Sequence, residues 1–329
     1  MKRAFFKLGN IIRVQSATAA EGFRVDINVK KWKDLGDKNW DFRFADHGPL
    51  RQRRYPPRTT KINVAQLHEA VVSRVNEPTF MKSLRERIAS TYGLFLSAGL
   101  GITVNGVAVK PDLPSIGGYG EKLAAARRRF RTDSIDTLII AGVTSRDDRR
   151  PHGWYVFCNG RMVLQADRSR VTGWGENLPQ WHSKYQHFAG YVYFHSSDVR
   201  NLPWTTTKQN VVAESAVYQS ALGEMQVQAR PVLNFLNNLY PDDLVEDQVE
   251  ERQLLSRARS ISLTDLPRKE TPFTGAVAPR AREDDAVTIV YKKPKKLVNR
   301  VRQQLGYTRL SAGAVGSHTF DYYVKQELG

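Results

Sequence analysis

Apolar positions recur with period two at Phe23, Val25, Ile27 and Val29, which sets those side chains on one face of a strand. Asn10 to Val14 and Lys61 to Val64 read as two more strands, and Ala4 to Leu8 as a short amphipathic stretch ahead of them. Between them, Asp37 to Arg58 carries Gly48, Pro49, Pro56 and Pro57 with Arg51, Arg53, Arg54 and Arg58, and reads as a loop. No companion segment precedes these strands, the pattern expected of a sheet whose first half is absent.

The period then changes. Phe80, Leu84 and Ile88 fall on one helix face, and Phe95 continues the stripe. Gly99 and Gly101 break it. Asn105-Gly106 between Ile102-Thr103-Val104 and Val107-Ala108-Val109 is a hairpin signal, because both turn positions favour a left-handed backbone. Thr137 to Ile140, Trp154 to Cys158 and Ala189 to His195 read as strands, and Asn159-Gly160 turns the second of them into Met162-Val163-Leu164.

From Glu214 the chain reads as helix. Tyr218, Leu222, Met225, Ala229, Val232, Leu236 and Leu239 step by fours and threes, as a dimer seam does, or as a helix packed on its own domain. Pro231 is expected to kink or split it. Residues 242–284 are acidic and then rich in Arg, Ser and Pro, and read as a linker. A small basic unit follows over 285–329. It has a strand from Val287 to Tyr291, the cluster Lys292, Lys293, Lys295 and Lys296, and a helix through Leu297, Val301 and Leu305 with Gly306 at its C-cap.

Charge adds a partner class. Fifty Lys and Arg against 33 Asp and Glu leave +17, which favours DNA or another polyanion. Arg127, Arg128 and Arg129, then Arg149 and Arg150 in the loop from Arg146, and the lysine cluster at 292–296 are the candidate phosphate grips. The bland alternative for each is a solvated surface. Trp174, Trp181, His182 and Tyr185 read as a local core beneath a loop, with base stacking as the sharper alternative. One cysteine, Cys158, excludes an internal disulfide and a cysteine-based zinc cage. His182, His187 and His195 lack metal-ligand spacing, so no metal site is assigned. No apolar run spans a membrane, no secretory signal opens the chain, and the cytoplasm is the expected compartment.

Several segments, in order, resemble one superfamily. Met1-Lys2-Arg3-Ala4-Phe5-Phe6-Lys7-Leu8-Gly9 resembles the segment just after the lid glycines of the GHKL ATPases, the group of gyrase B, MutL, heat-shock chaperones and histidine kinases. Thr59-Thr60-Lys61-Ile62 sits where that group has Gly-Thr before a strand, with Thr59 in place of the glycine. Leu67-His68-Glu69-Ala70, the helix to Tyr92 and the Asn105-Gly106 hairpin resemble the start of a transducer domain, and Gly153 to Arg161 its central hairpin. Leu202-Pro203-Trp204-Thr205-Thr206-Thr207-Lys208 resembles the loop that returns a lysine to the γ-phosphate. The resemblance runs from residue 1 to about 225.

It implies an α+β fold: the remnant of a Bergerat-type ATP-binding sheet over 1–65, a βα transducer domain over 66–225, the end of a kinked helix over 226–241, then the linker and the basic tail. It implies nucleotide contacts at Lys208, Thr60, Lys2 and Arg3, with ATP and Mg as cofactors of a full-length protein and none for this chain alone. The group's catalytic Glu and its Asp-x-Gly segment have no counterpart here, so no catalytic residue is assigned and no ATP hydrolysis by this chain alone is expected. An internal or mis-assigned start, or an ATP-binding half on a separate chain, accounts for that. A homo-oligomer is the expected assembly. The function implied is coupling of ATP state to conformational change. The alternatives are a non-enzymatic nucleic-acid-binding module and a dimerisation protein built on the long helix.

Overall fold

The computed structural model describes residues 2–34, 42–49, 56–239, 249–275, 289, 292–306 and 310–328, without the side chains of 2, 3, 49, 249–252 and 328. The chain divides into two compact units, Met1–Arg87 and Ile88–Gly329.

The first unit opens on helix α1 (Lys2–Leu8), which runs into β1 (Gly9–Ala17). β2 (Glu21–Asn28), α2 (Val29–Lys33), β3 (Phe44–Pro49), β4 (Thr59–Leu67) and α3 (Glu69–Val75) come next. The four strands form an antiparallel sheet in the order β3-β2-β1-β4. Its register joins the alternating apolar sets: Ile12 faces Ile27 and Val64, and Val14 faces Val25 and Ile62. Ile12 is fully buried. The Thr18 hydroxyl accepts from the Ala20 and Glu21 amides and closes the β1–β2 turn. Part of the stretch read as a loop is strand β3, paired to β2 through Phe23 and His47, with Phe23 edge-on to Phe44. Its Gly and Pro gave turn signals, and cross-strand pairing prevailed over them. Arg51, Arg53 and Arg54 lie outside the described residues.

The division between units falls within α4 (Phe80–Thr91). Beyond it come α5 (Gly93–Ser97) and the two-stranded β5 (Thr103–Val104) and β6 (Val107–Ala108). Asn105 and Gly106 turn between these strands with φ of 51° and 76°, as the Asn-Gly pair predicts. β7 (Ser115–Gly118) precedes a five-stranded mixed sheet of β8 (Ala126–Thr132), β9 (Ile135–Val143), β10 (Gly153–Cys158), β11 (Arg161–Asp167) and β12 (Phe188–His195), ordered β11-β10-β12-β9-β8. β10 and β12 are parallel and the other neighbours antiparallel. The fold is thus α+β.

Both faces of this sheet are covered, which is why β10 reads as a continuous apolar run rather than an alternation. Trp154, Val156 and Cys158 point into the larger core, and Tyr155 and Phe157 into a second cluster on the other side. On that second face Tyr155 stacks on Tyr191 and Phe157 on Tyr193. The larger core is closed by α6 (Ala216–Leu239), whose Tyr218, Met225, Ala229, Val232, Leu236 and Leu239 are essentially inaccessible. Of the two readings of the seam, the second holds: it is the face of α6 that packs on its own sheet, chiefly β9. Pro231 does not split the helix. It is exposed, as is Val227 one turn earlier, whose carbonyl loses its helical donor where water can replace it. Trp174 and Tyr185 are buried and join Trp181 in edge-on and tilted contacts, so that group is a local core.

Residues 249–275 lie in the span read as a linker, yet they are built onto this unit. α7 (Val249–Arg257) buries Leu255, and β13 (Arg259–Ser262) pairs with β7. Thr271 and Thr274 exchange backbone hydrogen bonds with Arg127 and Ala124 along the outer edge of β8. Covering an open strand edge satisfies its free amides and carbonyls, which a composition count does not foresee. Helices α8 (Lys295–Gln304) and α9 (Ala312–Tyr323), the latter continued by a π-helical turn over Val324–Leu328, close the described chain. The strand expected from Val287 to Tyr291 lies outside the described residues apart from Ile289, which has no regular structure. No helix among the described residues is long and apolar enough to cross a membrane.

Candidate functional site

The connection from β12 to α6, residues 196–215, is a long loop braced at its base, with a lysine at its tip. Its entry is held by the β10–β11 turn, where Asn159 and Gly160 adopt φ of 44° and 79°. The Asn159 side chain donates to the Ser196 carbonyl at 2.8 Å and accepts from the Ser196 amide at 3.0 Å. Leu202 and Val211 are buried at the base, and Trp204 bridges to Val211. The Trp204 indole N–H donates to the Val199 carbonyl. Above that base the Thr205 amide donates to Asn210, the Lys208 amide donates to Thr205, and the Thr205 and Thr207 hydroxyls lie 3.1 Å apart.

Lys208 has a φ of 56°, an uncommon setting for a residue with a Cβ and one that the loop's hydrogen bonds must hold. Its ammonium lies 4.3 Å from the centroid of the Trp204 ring, a cation–π contact, and among the described residues no carboxylate pairs with it. A compact cation on a flexible stem, presented from a fixed base, is suited to meeting an anion.

The other nucleotide candidates belong to the first unit. Thr60 is on the edge strand β4, opposite Ser16 of β1, and their hydroxyls are 2.8 Å apart. Lys2 and Arg3 begin α1, with side chains outside the described residues. The end of α1 is tied down by His68, whose amide donates to the Leu8 carbonyl and whose ring lies 3.1 Å from the Phe6 carbonyl.

The arginine candidates separate sharply. Arg127 donates to the Arg268 carbonyl, and burial followed by the charges of Arg129 and Arg268 lowers its pKa. Arg128 pairs with Glu270 at 2.9 Å and Glu224 at 3.6 Å, while Arg129 reaches Asp136 at 3.8 Å. Glu270 also accepts from the Arg129 amide, and that bond and the one from Arg128 lower its pKa. Arg127 to Arg129 therefore belong to strand β8 and hold the segment that covers its edge. Arg149 is exposed. Arg150, next to it, donates to the Leu113 and Ser115 carbonyls and pairs with the largely buried Asp148. Burial alone would lower the Arg150 pKa, but the Asp148 bond and charge outweigh it and raise it. Asp148, whose burial acts upward, is held below the usual carboxylate range by its bonds to Arg150. Lys292, Lys293, Lys295 and Lys296 are exposed.

Sequence reading did not find this Asp148–Arg150–Ser115 network, which Tyr191 joins by donating to the Ser115 carbonyl at 2.8 Å. The only local signal was Asp148-Arg149-Arg150 itself, one charge pattern among many. His152 and His187 lie beside it, rings 6.0 Å apart, with burial lowering both pKa values. A histidine whose folded pKa lies below the unfolded value of 6.5 contributes no loss above that pH, and stability falls as pH drops below 6.5 because the unfolded chain takes up the proton first. The melting temperature is therefore expected to fall between about pH 7 and about pH 5, and less steeply in His152→Gln and His187→Gln. A melting temperature constant over that range would refute this assignment.

No family model and no curated protein matches the sequence. Solved structures do. The structures it is similar to are GHKL ATPase domains. The B-subunit of DNA gyrase from Myxococcus xanthus is 14% identical, over 76% of this chain and 71% of that one, with a TM-score of 0.36. The MutL ATPase domain of Aquifex aeolicus is 13% identical, over 66% of this chain and 76% of that one, with a TM-score of 0.29. The topoisomerase IV ATP-binding domain of Francisella tularensis is 10% identical, over 76% and 68%, with a TM-score of 0.32. At such identities and TM-scores the likeness assigns no role to any residue of this chain.

Proposed function

We propose that this chain is the transducer-bearing part of a GHKL-type ATP-binding protein, and that it couples the state of a bound nucleotide to a conformational change. The observation that carries the reading is the placement of Lys208. It stands in a strained backbone setting at the tip of the loop joining β12 to α6, with the Trp204 ring beside its ammonium and no carboxylate paired with it among the described residues. β12 is the middle strand of the five, and α6 lies along the same sheet. A force on Lys208 is thereby delivered to a strand and a helix that move as one packed body. The γ-phosphate is the natural partner for such a lysine, since its presence or absence changes the local charge most on hydrolysis.

Thr60 and the start of α1, with Lys2 and Arg3, are assigned to the nucleotide on the order of motifs in the sequence. Mg accompanies ATP in that role. We assign no catalytic base, because the resemblance carries that role onto no residue from 1 to 225. Purified chain is expected to show no magnesium-dependent ATP turnover above background.

Hydrogen exchange tests the coupling. In a full-length protein that joins this chain to its ATP-binding half, amides of the 202–211 loop are expected to exchange more slowly with a non-hydrolysable ATP analogue and Mg than with ADP and Mg. Lys208→Ala should abolish that difference while leaving the melting temperature within about 1 °C, since the side chain is exposed. Equal protection by both nucleotides, or a difference that survives the substitution, rejects Lys208 as the sensor.

The dimerisation alternative loses the surface it relied on, because the α6 seam is occupied by the chain's own sheet.

A further inference from the structure

We infer that α8 is a docking face for the phosphate backbone of a nucleic-acid duplex. Residues 292–306 hold six cations, Lys292, Lys293, Lys295, Lys296, Arg300 and Arg302, and no Asp or Glu. At 100° per residue, Lys295, Lys296, Asn299 and Arg300 share one side of α8, and Leu297, Val298, Val301 and Leu305 share the other. Burial follows the same division. Lys295, Lys296, Asn299 and Arg300 are exposed, whereas Val298, Val301 and Leu305 are half-buried.

The apolar side has a partner within the chain. Leu297, Val298 and Val301 face Ala312, Val315 and Gly316 of α9 across a shared cleft, and Val315 is buried. Packing of the two helices thus turns the basic side of α8 outward. Lys295, Lys296 and Arg300 have no carboxylate partner among the described residues, in contrast to Arg128, Arg129 and Arg150. Three unneutralised cations on about one and a half turns form a dense positive stripe, and a duplex carries a negative charge about every 1.7 Å of its axis. A membrane surface would instead call on the apolar side of the helix, which here meets α9. The exposed Phe320, Tyr322 and Tyr323 of α9 are the reason to test lipid beside the duplex.

The inference is independent of the Lys208 reading, and its test uses no nucleotide. A short fluorescent DNA duplex is titrated with the full chain across a range of salt concentrations, and the triple variant Lys295→Glu, Lys296→Glu, Arg300→Glu is compared at matched melting temperature. Three phosphate contacts predict a slope of log K against log salt of about −3, and a loss of about tenfold or more in the variant at 0.1 M salt. Lys295→Gln alone should flatten the slope by about one unit. Two results would overturn the inference: duplex affinity and slope unchanged in the triple variant, or loss of binding to anionic phosphatidylserine vesicles with no duplex binding by the parent chain.

Discussion

Gly190→Ala is expected to destabilise the second unit by about 3 kcal/mol, at the upper end of what overpacking a close-packed core costs. Gly190 pairs with Trp154 across β12 and β10, and a Cβ built on it would lie 2.2 Å from Trp154 Cε3. Trp154 is fully buried and cannot swing away, because Phe188 packs edge-on against it and Trp174 in turn packs edge-on against Phe188. Urea unfolding followed by tryptophan fluorescence gives the midpoint. Trp154→Leu alone should cost a comparable amount through the cavity it leaves, and combined with Gly190→Ala the two should cost less than their sum. An Ala variant with an unchanged midpoint would mean that the β10–β12 contact is looser than the structure has it.

Leu236→Glu is expected to unfold the second unit rather than dissociate an assembly. Leu236 is fully inaccessible inside the core formed by α6 and the five-stranded sheet. Truncating such a leucine to Ala costs about 2–5 kcal/mol, and placing a carboxylate there adds the penalty of an unpaired buried charge. Leu222 is 9% exposed, nearer the margin, so Leu222→Glu should be milder. Circular dichroism and sedimentation of the two variants give the answer together. A well-folded Leu236→Glu chain of reduced mass would restore α6 as an interface between copies.

These variants probe positions that the sequence marked without saying what they touched. The apolar stripe from Tyr218 to Leu239 was legible because helical periodicity is a property of one segment. Whether that stripe met its own sheet or a second copy was not, since both burials give the same pattern. The Asn105-Gly106 and Asn159-Gly160 turns were legible for a similar reason, as the backbone angles belong to the residues themselves. By contrast β8 reads as an arginine run. Its partners, Glu224, Glu270 and the 268–274 segment, lie between about 90 and 150 residues away along the chain, too far for any local pattern to announce them.

Residue spacing alone was enough to mark β1, β2 and β4 of the first sheet, β9 to β12 of the second and the apolar face of α6, whereas the loop that carries Lys208 was read from the resemblance. Spacing acts within a few residues, so such features need no knowledge of the rest of the chain. Which charges are available was settled instead by the packing of distant segments. Arg128 and Arg150 have found carboxylates and lie in structural ion pairs, while Lys208 and the outer side of α8 have none among the described residues. Neutralisation depends on distances of a few ångströms between segments remote in sequence, and only folding sets those distances.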